Sequence, residues 1–346
     1  MTVLEPTTTA GVTTGRLQSL HSFMQETNGR MMSGEAAGSK VWPSGFLTLD
    51  QALTGGFRSG ELALLGGPQG LGKTTFALQV TRNLIAAGHT AVYFSFEHDN
   101  HTLLERLIAM EAAEIAGLTA IPLHAVRLAF EARHGAEQTL ESRFEGTEGG
   151  AEAVRAVEAY SPRLHMHRSK GSDTDVEVMR QVIETVFENT GQMPFVVVDY
   201  LQKVYVPGAA HLLEDERITL VVEALKDLAL ELSVPVLATV AADKSGLATG
   251  KRMRVQDLRG SSALAYEPDV VLILNDKYDV VARHHLMYNL ANAGRFRRWV
   301  ILSIEKNRSG ADKVDLEFRK RFEQARFEPG GGYVEEELID ERIFVQ

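Results

Sequence analysis

The stretch GGPQGLGKTT, residues 66–75, has the residue types and spacing of a loop that holds phosphate groups. It follows the apolar run ELALL and opens the helix-forming run TTFALQVTRNLIAAG. A glycine-rich turn between a buried strand and a helix exposes successive backbone N–H groups, to which the helix dipole adds partial positive charge. The pattern GxxxxGK[ST] is met. The predicted nucleotide site comprises Gly67, Pro68, Gln69, Gly70, Leu71, Gly72, Lys73, Thr74 and Thr75.

The chemistry expected of this loop is that of a nucleoside triphosphatase. Lys73 is expected to contact the β- and γ-phosphates of ATP, and the Thr74 hydroxyl to ligate Mg²⁺. The strand before the loop and the helix after it argue against a chance glycine turn.

Two acidic residues follow apolar strands elsewhere in the chain. The run FVVVDY ends with Asp199, and the run AVYFSFEHD contains Glu97. In an open α/β sheet the carboxyl ends of the strands face the ligand crevice, so Asp199 is predicted to hold Mg²⁺ through water. Glu97 is predicted to orient and deprotonate the attacking water. His98 and Asp99 are close enough in sequence to remain alternatives for this role.

The elements that position these residues alternate along the chain. This alternation predicts an α/β fold with a mainly parallel sheet covered by helices on both faces. We expect strands at about 61–66, 90–96, 164–168, 194–199, 234–240, 269–275 and 298–305, and helices at about 73–87, 100–117, 173–189 and 213–232.

Three segments differ from this pattern. Residues 1–40 are expected to form a flexible arm with one amphipathic helix at 16–32, which packs either on its own domain or on a neighbouring subunit. Residues 41–329 form the ATPase domain, in which the polar stretch 134–154 is predicted to be a surface insertion. Residues 330–346 form a glycine hinge and an acidic tail.

The composition excludes several classes of protein. The 346 residues contain no cysteine, which rules out disulfides and thiolate metal sites. No apolar run is long enough to span a membrane, so we expect a cytoplasmic protein without a membrane partner. The formal net charge of −10 disfavours a general nucleic-acid binder, although a ring can still present a local basic lining.

Six motifs in order resemble the ATPase domain of DnaB-type replicative hexameric helicases, within the RecA-like superfamily. They are SGFLTLDQALTGGFRSGELALLGGPQGLGKTTFALQ, FSFE, VVVDYLQKV, VEALKDLALELSVPVLA, QDLRGSSALAYEPDVVLIL and VILSIEKNRSGADKVDLEF. The similarity covers about residues 42–329, and RadA- and KaiC-type ATPases are more distantly similar.

This resemblance implies a homo-oligomer, most simply a hexameric ring, that hydrolyses ATP and acts on single-stranded DNA. It supports the roles given to Lys73, Thr74, Glu97 and Asp199. It also implies that Lys306 and Arg308, in the KxRxG segment, reach the nucleotide of the next subunit. A guanidinium at the γ-phosphate stabilises the charge that develops during transfer. A basic turn with no catalytic role is the alternative.

The chain departs from that family in two places besides the insertion. A full N-terminal domain precedes the linker helix in the family, whereas about 40 residues precede the core here, so residues 16–32 are expected to act as the linker helix alone. Ala241 stands where the family has a glutamine that senses the γ-phosphate. This change bears on coupled translocation more than on hydrolysis.

The candidate DNA contacts lie between the strand at 234–240 and the DLRGSS motif. In the family that the sequence resembles, this is the position of the second loop that lines the central pore. Basic side chains here would bind the phosphates of single-stranded DNA by charge. The alternative is a solvated flexible loop. These candidates are Lys244, Lys251, Arg252 and Arg254, whereas Arg295, Arg297 and Arg298 are expected to serve as surface or subunit contacts. His165 and His167 alternate on one strand and are assigned to packing or to the surface.

Three functions remain open at this point. The first is a helicase or translocase on single-stranded DNA. The second is a RadA- or KaiC-like ATPase that drives assembly or signalling on a protein partner. The third is an oligomer in which ATP stabilises the interface with little turnover.

Overall fold

The computed structural model describes residues 18–34, 40–131, 138–243, 251–287 and 290–341. The chain divides into two compact units, residues 1–40 and 41–346. The first unit contains helix α1, Leu20–Met32, which the Ser19 hydroxyl caps by accepting the Ser22 N–H at 3.1 Å. The large apolar side chains of α1 that are exposed are those of Leu20, Phe23, Met24, Met31 and Met32.

The second unit alternates strands with helices. Its strands are β1 Val41–Trp42, β2 Phe57–Arg58, β3 Leu62–Gly66, β4 Ala91–Ser95, β5 Leu164–Arg168, β6 Phe195–Asp199, β7 Val236–Thr239, β8 Val270–Asp276, β9 Trp299–Asn307, β10 Val314–Arg321, β11 Arg326–Phe327 and β12 Gly332–Tyr333. Its helices are α2 Leu47–Ala52, α3 Lys73–Ala86, α4 Asn100–Ala116, α5 Leu123–Glu131, α6 Gly150–Tyr160, α7 Val176–Thr190, α8 Glu214–Leu232, α9 Ala263–Tyr266, α10 Lys277–Val280, α11 Arg283–Met287 and α12 Leu290–Phe296.

The main sheet has the order β11-β10-β9-β8-β3-β7-β6-β4-β5, and β12 pairs with β10. The six strands from β8 to β5 run parallel, whereas β9, β10 and β11 continue the sheet in antiparallel pairs. The predicted fold class, a mainly parallel α/β sheet with helices on both faces, is confirmed.

The sheet separates two apolar cores. Side chains alternate between the faces of a strand, so Ala63 and Leu65 of β3 face one core while Leu62 and Leu64 face the other. The first core includes side chains of α3, α4 and α6, and the second includes side chains of α7 and α8. Because both faces are covered, the central strands read as continuous apolar runs, and this is why the sequence predicts them well.

The predicted surface insertion at 134–154 needs correction for its second half. Phe144 is fully buried, and Ala153 and Val154 of α6 belong to the same core as α4. Polar residues and glycines dominate the composition of this stretch, but its few apolar side chains are spaced to face inward. Residues 132–137 lie outside the described part of the chain.

The C-terminal segment also pairs with the sheet. Gly332 and Tyr333 lie opposite Glu317 and Leu316 of β10, and single bridges join Leu338 to Val281 and Glu341 to Lys251. The predicted acidic tail is therefore bound along the domain as far as Glu341, beyond which the residues are not described.

Within the described residues, no helix combines the length and apolar character needed to cross a membrane.

Candidate nucleotide-binding site

The phosphate-loop residues form the turn that joins β3 to α3. β3 ends at Gly66 and α3 begins at Lys73. Gly72 has a φ of 89°, and a Cβ there would lie 2.8 Å from the ring of Phe322, so the turn needs glycine for both reasons. In the described chain no side chain caps the N-terminus of α3. Its first backbone N–H groups are therefore left to bind an anion.

Lys73 reaches back from α3 over the loop. Its Nζ donates to the carbonyl oxygens of Gly67 and Pro68, at 2.7 and 3.1 Å. Burial lowers the pKa of Lys73, and the negative charges of Asp199 and Glu97 partly oppose this shift. Phosphate oxygens are stronger acceptors than backbone carbonyls, so a bound polyphosphate can replace these two partners.

Asp199 ends β6 and is 2% exposed. Its Oδ1 accepts from the Thr239 hydroxyl at 2.5 Å, and its Oδ2 accepts from the Tyr93 hydroxyl at 2.9 Å. Burial, together with the charge of Asp199, raises the pKa of Tyr93, which keeps the phenol protonated as a donor. Two hydroxyl donors thus hold the carboxylate in place.

Glu97 follows β4 and is exposed to the cleft. In the described chain its carboxylate makes no hydrogen bond or ion pair. The alternative Asp99 accepts the Thr102 N–H at 2.8 Å as the N-cap of α4, so its carboxylate has a structural task. His98 also lines the cleft, and burial lowers its pKa. Of the three candidates, Glu97 has the carboxylate that is available to a substrate.

Together these groups surround a cleft of about 650 Å³, a size typical of small-ligand sites. Gly67, Pro68 and Leu71 belong to the turn but not to the lining. The predicted site residues in the lining are Gln69, Gly70, Gly72, Lys73, Thr74, Thr75, Glu97 and Asp199.

Arg106 also lines this cleft, and the sequence analysis missed it. Its Nη1 lies 3.4 Å from the Thr75 hydroxyl, and its buried Nε has no hydrogen-bond partner among the described residues. Burial lowers its pKa. The signal in the sequence was an arginine between Leu103 and Leu107, two residues of the buried face of α4.

Ala241, which stands in place of the expected glutamine, lies just after β7 and lines the same cleft. Its backbone N–H donates to the Gln202 side-chain oxygen at 3.2 Å, and the Gln202 amide nitrogen donates to the Arg259 carbonyl at 3.0 Å. A side-chain amide therefore lies beside this position, but it comes from the segment after β6 and is held by backbone groups.

Lys306 and Arg308 lie at the other end of the sheet. Lys306 is paired with Val271, near the start of β8, whereas Gly66 of the phosphate loop is paired with Ile273 further along it. Lys306 Nζ and Arg308 Nη2 each donate to the Tyr266 carbonyl at 2.7 Å. Neither side chain lines the cleft.

The Asp269 carboxylate contacts the Arg308 guanidinium. Its Oδ1 lies 3.3 Å from Arg308 Nη1, while its Oδ2 accepts from the Leu62 N–H at 2.9 Å and from Lys226 Nζ at 2.6 Å. Because Leu62 begins β3 and Gly66 ends it, this network is about 13 Å along the strand from the phosphate loop.

The described candidates for DNA contact are all paired with carboxylates. Lys251 Nζ lies 2.5 Å from Asp257 Oδ1, and Arg254 contacts Glu305. Arg252 is 5% exposed and forms an ion pair with Asp315. This burial corrects the expectation for Arg252, whose guanidinium contacts Ser303 and Asp315 inside the domain. Lys244 lies outside the described residues.

The two histidines of β5 do not form a metal site with neighbours. Phe94 packs against His167, whose Nδ1 lies 2.9 Å from the Ser169 hydroxyl. Burial lowers the pKa of both His165 and His167. In the described part of the chain, no group of three or more His, Asp or Glu side chains is placed to hold a metal ion.

Comparison with known proteins agrees with this geometry. Residues 42–328 match the family model of the DnaB-like helicase C terminal domain. The replicative DNA helicase DnaB of Nostoc sp. is 30% identical over 232 residues, which cover 66% of this chain and 24% of that protein. Its counterpart in Treponema pallidum is 28% identical over 238 residues, 67% of this chain and 47% of that protein. The chain thus spans about a quarter to a half of the length of these relatives.

Two solved structures share the fold. One, an isolated ATPase domain, superposes with a TM-score of 0.68 at 21% identity, covering 89% of this chain and 98% of that one. The other, a DnaB-like replicative helicase described with its interactions with primase, gives a TM-score of 0.67 at 20% identity, covering 87% of this chain and 66% of that one. The resemblance predicted from the six motifs is confirmed, and the chain belongs to the family of the DnaB-like helicase C-terminal domain.

Proposed function

We propose that the chain is an ATP-hydrolysing motor that assembles head to tail into a ring, a hexamer, with each nucleotide shared by two subunits. The observation that supports this most is the position of Arg308, which contacts Asp269 beside the start of β3, whereas the phosphate loop follows the end of β3. Arg308, at the far end of the sheet, does not line the cleft of its own subunit and cannot contact a nucleotide bound there. In a head-to-tail ring, however, the far end of one subunit can face the cleft of the next.

In this proposal the turn of residues 67–75 binds the phosphates of ATP, and Thr74 and Asp199 hold Mg²⁺. Asp199 fits this task because, in the described chain, its buried carboxylate accepts hydrogen bonds from hydroxyls and forms no ion pair with a cation. Hydroxyl and carboxylate oxygens are the ligands that Mg²⁺ prefers. When bound, the ion neutralises negative charge on the phosphate oxygens.

The remaining groups of the cleft act on the phosphates and the attacking water. Glu97, which is exposed and unpaired in the described chain, orients the water and accepts its proton. Lys73 leaves its carbonyl partners to contact the phosphates. Arg106 adds a second, partly buried cation beside Thr75. Lys306 and Arg308 from the neighbouring subunit complete the charge stabilisation around the transferred group.

Helix α1 supplies a means of assembly in this proposal. Its exposed side chains include Phe23 and Met24, so an apolar surface on another copy of the chain would bury what is left in water here. We propose that α1 serves as the linker helix and docks on a neighbouring subunit. A cytoplasmic location also stays a prediction.

We propose that ATP hydrolysis drives movement of the subunits on single-stranded DNA. Lys251 and Arg254, whose side chains are 33% and 29% exposed, follow the segment that contains Lys244 in the sequence. A second candidate is an ATPase that acts on a protein partner without unwinding DNA. The pairing of both described cations with carboxylates, and the alanine at position 241, favour that second candidate.

The test is ATP turnover with and without single-stranded DNA, at low and moderate salt. Lys73→Ala is the blank, and a Lys251→Ala, Arg254→Ala double variant tests the loop. If DNA raises the rate and the double variant loses that response, the helicase proposal stands. Turnover that is indifferent to DNA would instead favour the protein-partner candidate, and absence of turnover would leave ATP as a structural ligand.

A further inference from the structure

The C-terminal segment 332–341, here named the strap, runs along the domain from β10 to the base of the candidate DNA loop. Backbone hydrogen bonds hold it to three successive parts of the domain. They join Val334 N to Asp315 O (3.0 Å), Ala282 N to Glu337 O (2.9 Å), Ile339 N to Val280 O (2.8 Å) and Arg252 N to Asp340 O (2.8 Å).

Acidic side chains of the strap pair with basic side chains of the domain. Asp340 Oδ1 accepts from Arg254 at Nη2 (2.5 Å) and Nε (3.0 Å). Glu336 contacts Lys277 Nζ at 2.5 Å and Arg295 Nη2 at 3.4 Å. Burial would raise the pKa of Glu336, but the hydrogen bond and charge of Lys277, with Arg295, outweigh it and lower that pKa. The Glu336 carboxylate is therefore held as an anion.

The arrangement of these anions resembles a short polyanion on a cationic band formed by Arg254 and Arg295, whereas the Lys277 ammonium is buried and is also paired with Glu317. Glu336 and Asp340 are four residues apart, about 13 Å along an extended chain. The guanidinium of Arg254 presents two N–H groups to one oxygen of the Asp340 carboxylate, and the same two donors can bind the oxygens of a phosphate. A phosphate of a nucleic-acid strand can therefore take the place of Asp340.

We propose that the strap is a built-in competitor that covers this band until the backbone of single-stranded nucleic acid displaces it. The proposal rests on the proposed function, because it assigns a regulation to the DNA loop of that same motor. Displacement is feasible because the Asp340 side chain is 73% exposed, and ion pairs of this exposure contribute little to stability. The strap then acts as an autoinhibitory contact at the base of the loop.

Two variants release the strap in independent ways, and each has a matched control. Asp340→Asn removes the charge that faces Arg254, and Glu335→Gln removes the same charge from an exposed strap residue with no described partner. Gly331→Ala leaves the charge unchanged, but its Cβ would lie 2.2 Å from the ring of Phe318 and would push the strap off β10. Gly332→Ala is its control, since nothing lies within 4 Å of that Cβ.

The experiment is binding of a fluorescent oligothymidine to the full chain by anisotropy, over a range of salt concentrations. We expect Asp340→Asn and Gly331→Ala to tighten binding by about three- to tenfold at low salt, with a slope of log K against log salt steeper by about 0.7 for each cation released. We expect Glu335→Gln and Gly332→Ala to bind as the wild type does. Equal or weaker binding by both releasing variants would overturn the proposal.

Arg254→Ala separates this proposal from the one on which it rests. If Arg254→Ala binds DNA as tightly as the wild type, the assignment of the loop to DNA is wrong. If Arg254→Ala weakens binding but neither releasing variant tightens it, only the strap proposal is wrong.

Hydrogen exchange gives a direct second measurement on the wild-type chain. The Ile339 N–H is protected by its bond to Val280 O, so saturating single-stranded DNA should speed its exchange if the strap is displaced. Unchanged exchange at saturation would contradict displacement.

Discussion

The two ends of strand β3 hold charge in different ways. At the carboxyl end, Lys73 is bonded to loop carbonyls and Glu97 has no described partner, so an open cleft presents groups that a ligand can engage. At the amino end, buried Asp269 already binds Leu62, Lys226 and Arg308 in a closed network, and only the Arg308 side chain, at 50% exposure, extends outward. One end is built to receive a ligand and the other to present a cation. Under our proposal, a complete catalytic site therefore needs one end from each of two subunits.

Removing the presented cation should have the largest effect. Arg308→Ala should lower kcat for ATP by about 10³- to 10⁵-fold, the range that a catalytic arginine contributes to phosphoryl transfer. Nucleotide binding should change far less, because the variant leaves the phosphate loop and Lys73 of every cleft intact. The measurement is steady-state turnover beside equilibrium binding of a fluorescent nucleotide. A variant with wild-type kcat would remove Arg308 from the mechanism.

Mixed oligomers test whether the two ends meet between subunits. An Arg308→Ala subunit has an intact cleft and a Lys73→Ala subunit has an intact far end, so random mixing should restore about a quarter of the sites in a head-to-tail ring. Activity that stays at the level of the separate variants would contradict the shared site.

Glu97→Gln should have the next largest effect, about 10²- to 10⁴-fold on kcat, the range for a general base. Glu97 lines the same cleft as Lys73, so both substitutions damage the same end of the sheet. Mixing these two variants should restore no activity, because every cleft in the mixture is damaged. Recovery in this mixture would show that the two ends do not divide the work as we propose.

Asp269→Asn should lower kcat by about tenfold, since the amide keeps the size of the carboxylate but loses the charge that holds Arg308. Lys226→Met is the matched control because it removes a donor to the other oxygen, Oδ2, and leaves the Arg308 contact in place. Both variants should lower the midpoint of thermal unfolding, whereas only Asp269→Asn should lower kcat at saturating ATP. Equal kcat losses would mean that Asp269 acts only through stability.

The cleft end was more predictable from sequence than the far end. The strand predicted at 164–168 is Leu164–Arg168, and the helix predicted at 73–87 is Lys73–Ala86. Glu97 and Asp199 both line the cleft because parallel strands end at one edge of the sheet, so order along the chain predicts their proximity, while their catalytic roles stay predictions. The networks of Arg106 and Asp269 were missed because their partners are distant in sequence and no local period links them.

The strap and the paired loop cations were missed for a related reason. The run VEEELID has the composition of a solvated tail, and only pairing with Val280 and Arg252 shows that it is bound. Lys251 and Arg254 stand in a basic run, but their carboxylate partners Asp257 and Glu305 come from elsewhere. The sequence shows where the basic residues lie, but not which carboxylates pair with them in the fold.

The smallest expected effect is a pH dependence of stability that arises at the cleft end of the sheet and not at the far end. Burial, reinforced by the charge of Arg106, lowers the pKa of His98 at the cleft end, whereas the Asp269 network contains no histidine among its described contacts. Between the ordinary pKa of about 6.5 and the lower folded value, the unfolded chain binds a proton that the folded chain does not. The contribution of His98 to the free energy of unfolding is therefore fully present above about pH 6.5 and falls as the pH drops through this window.

His98→Gln should reduce the fall in the midpoint of thermal unfolding between about pH 7 and pH 5.5. His165 and His167, whose pKa burial also lowers, should preserve part of the slope, and an unchanged slope would exclude His98 as a contributor.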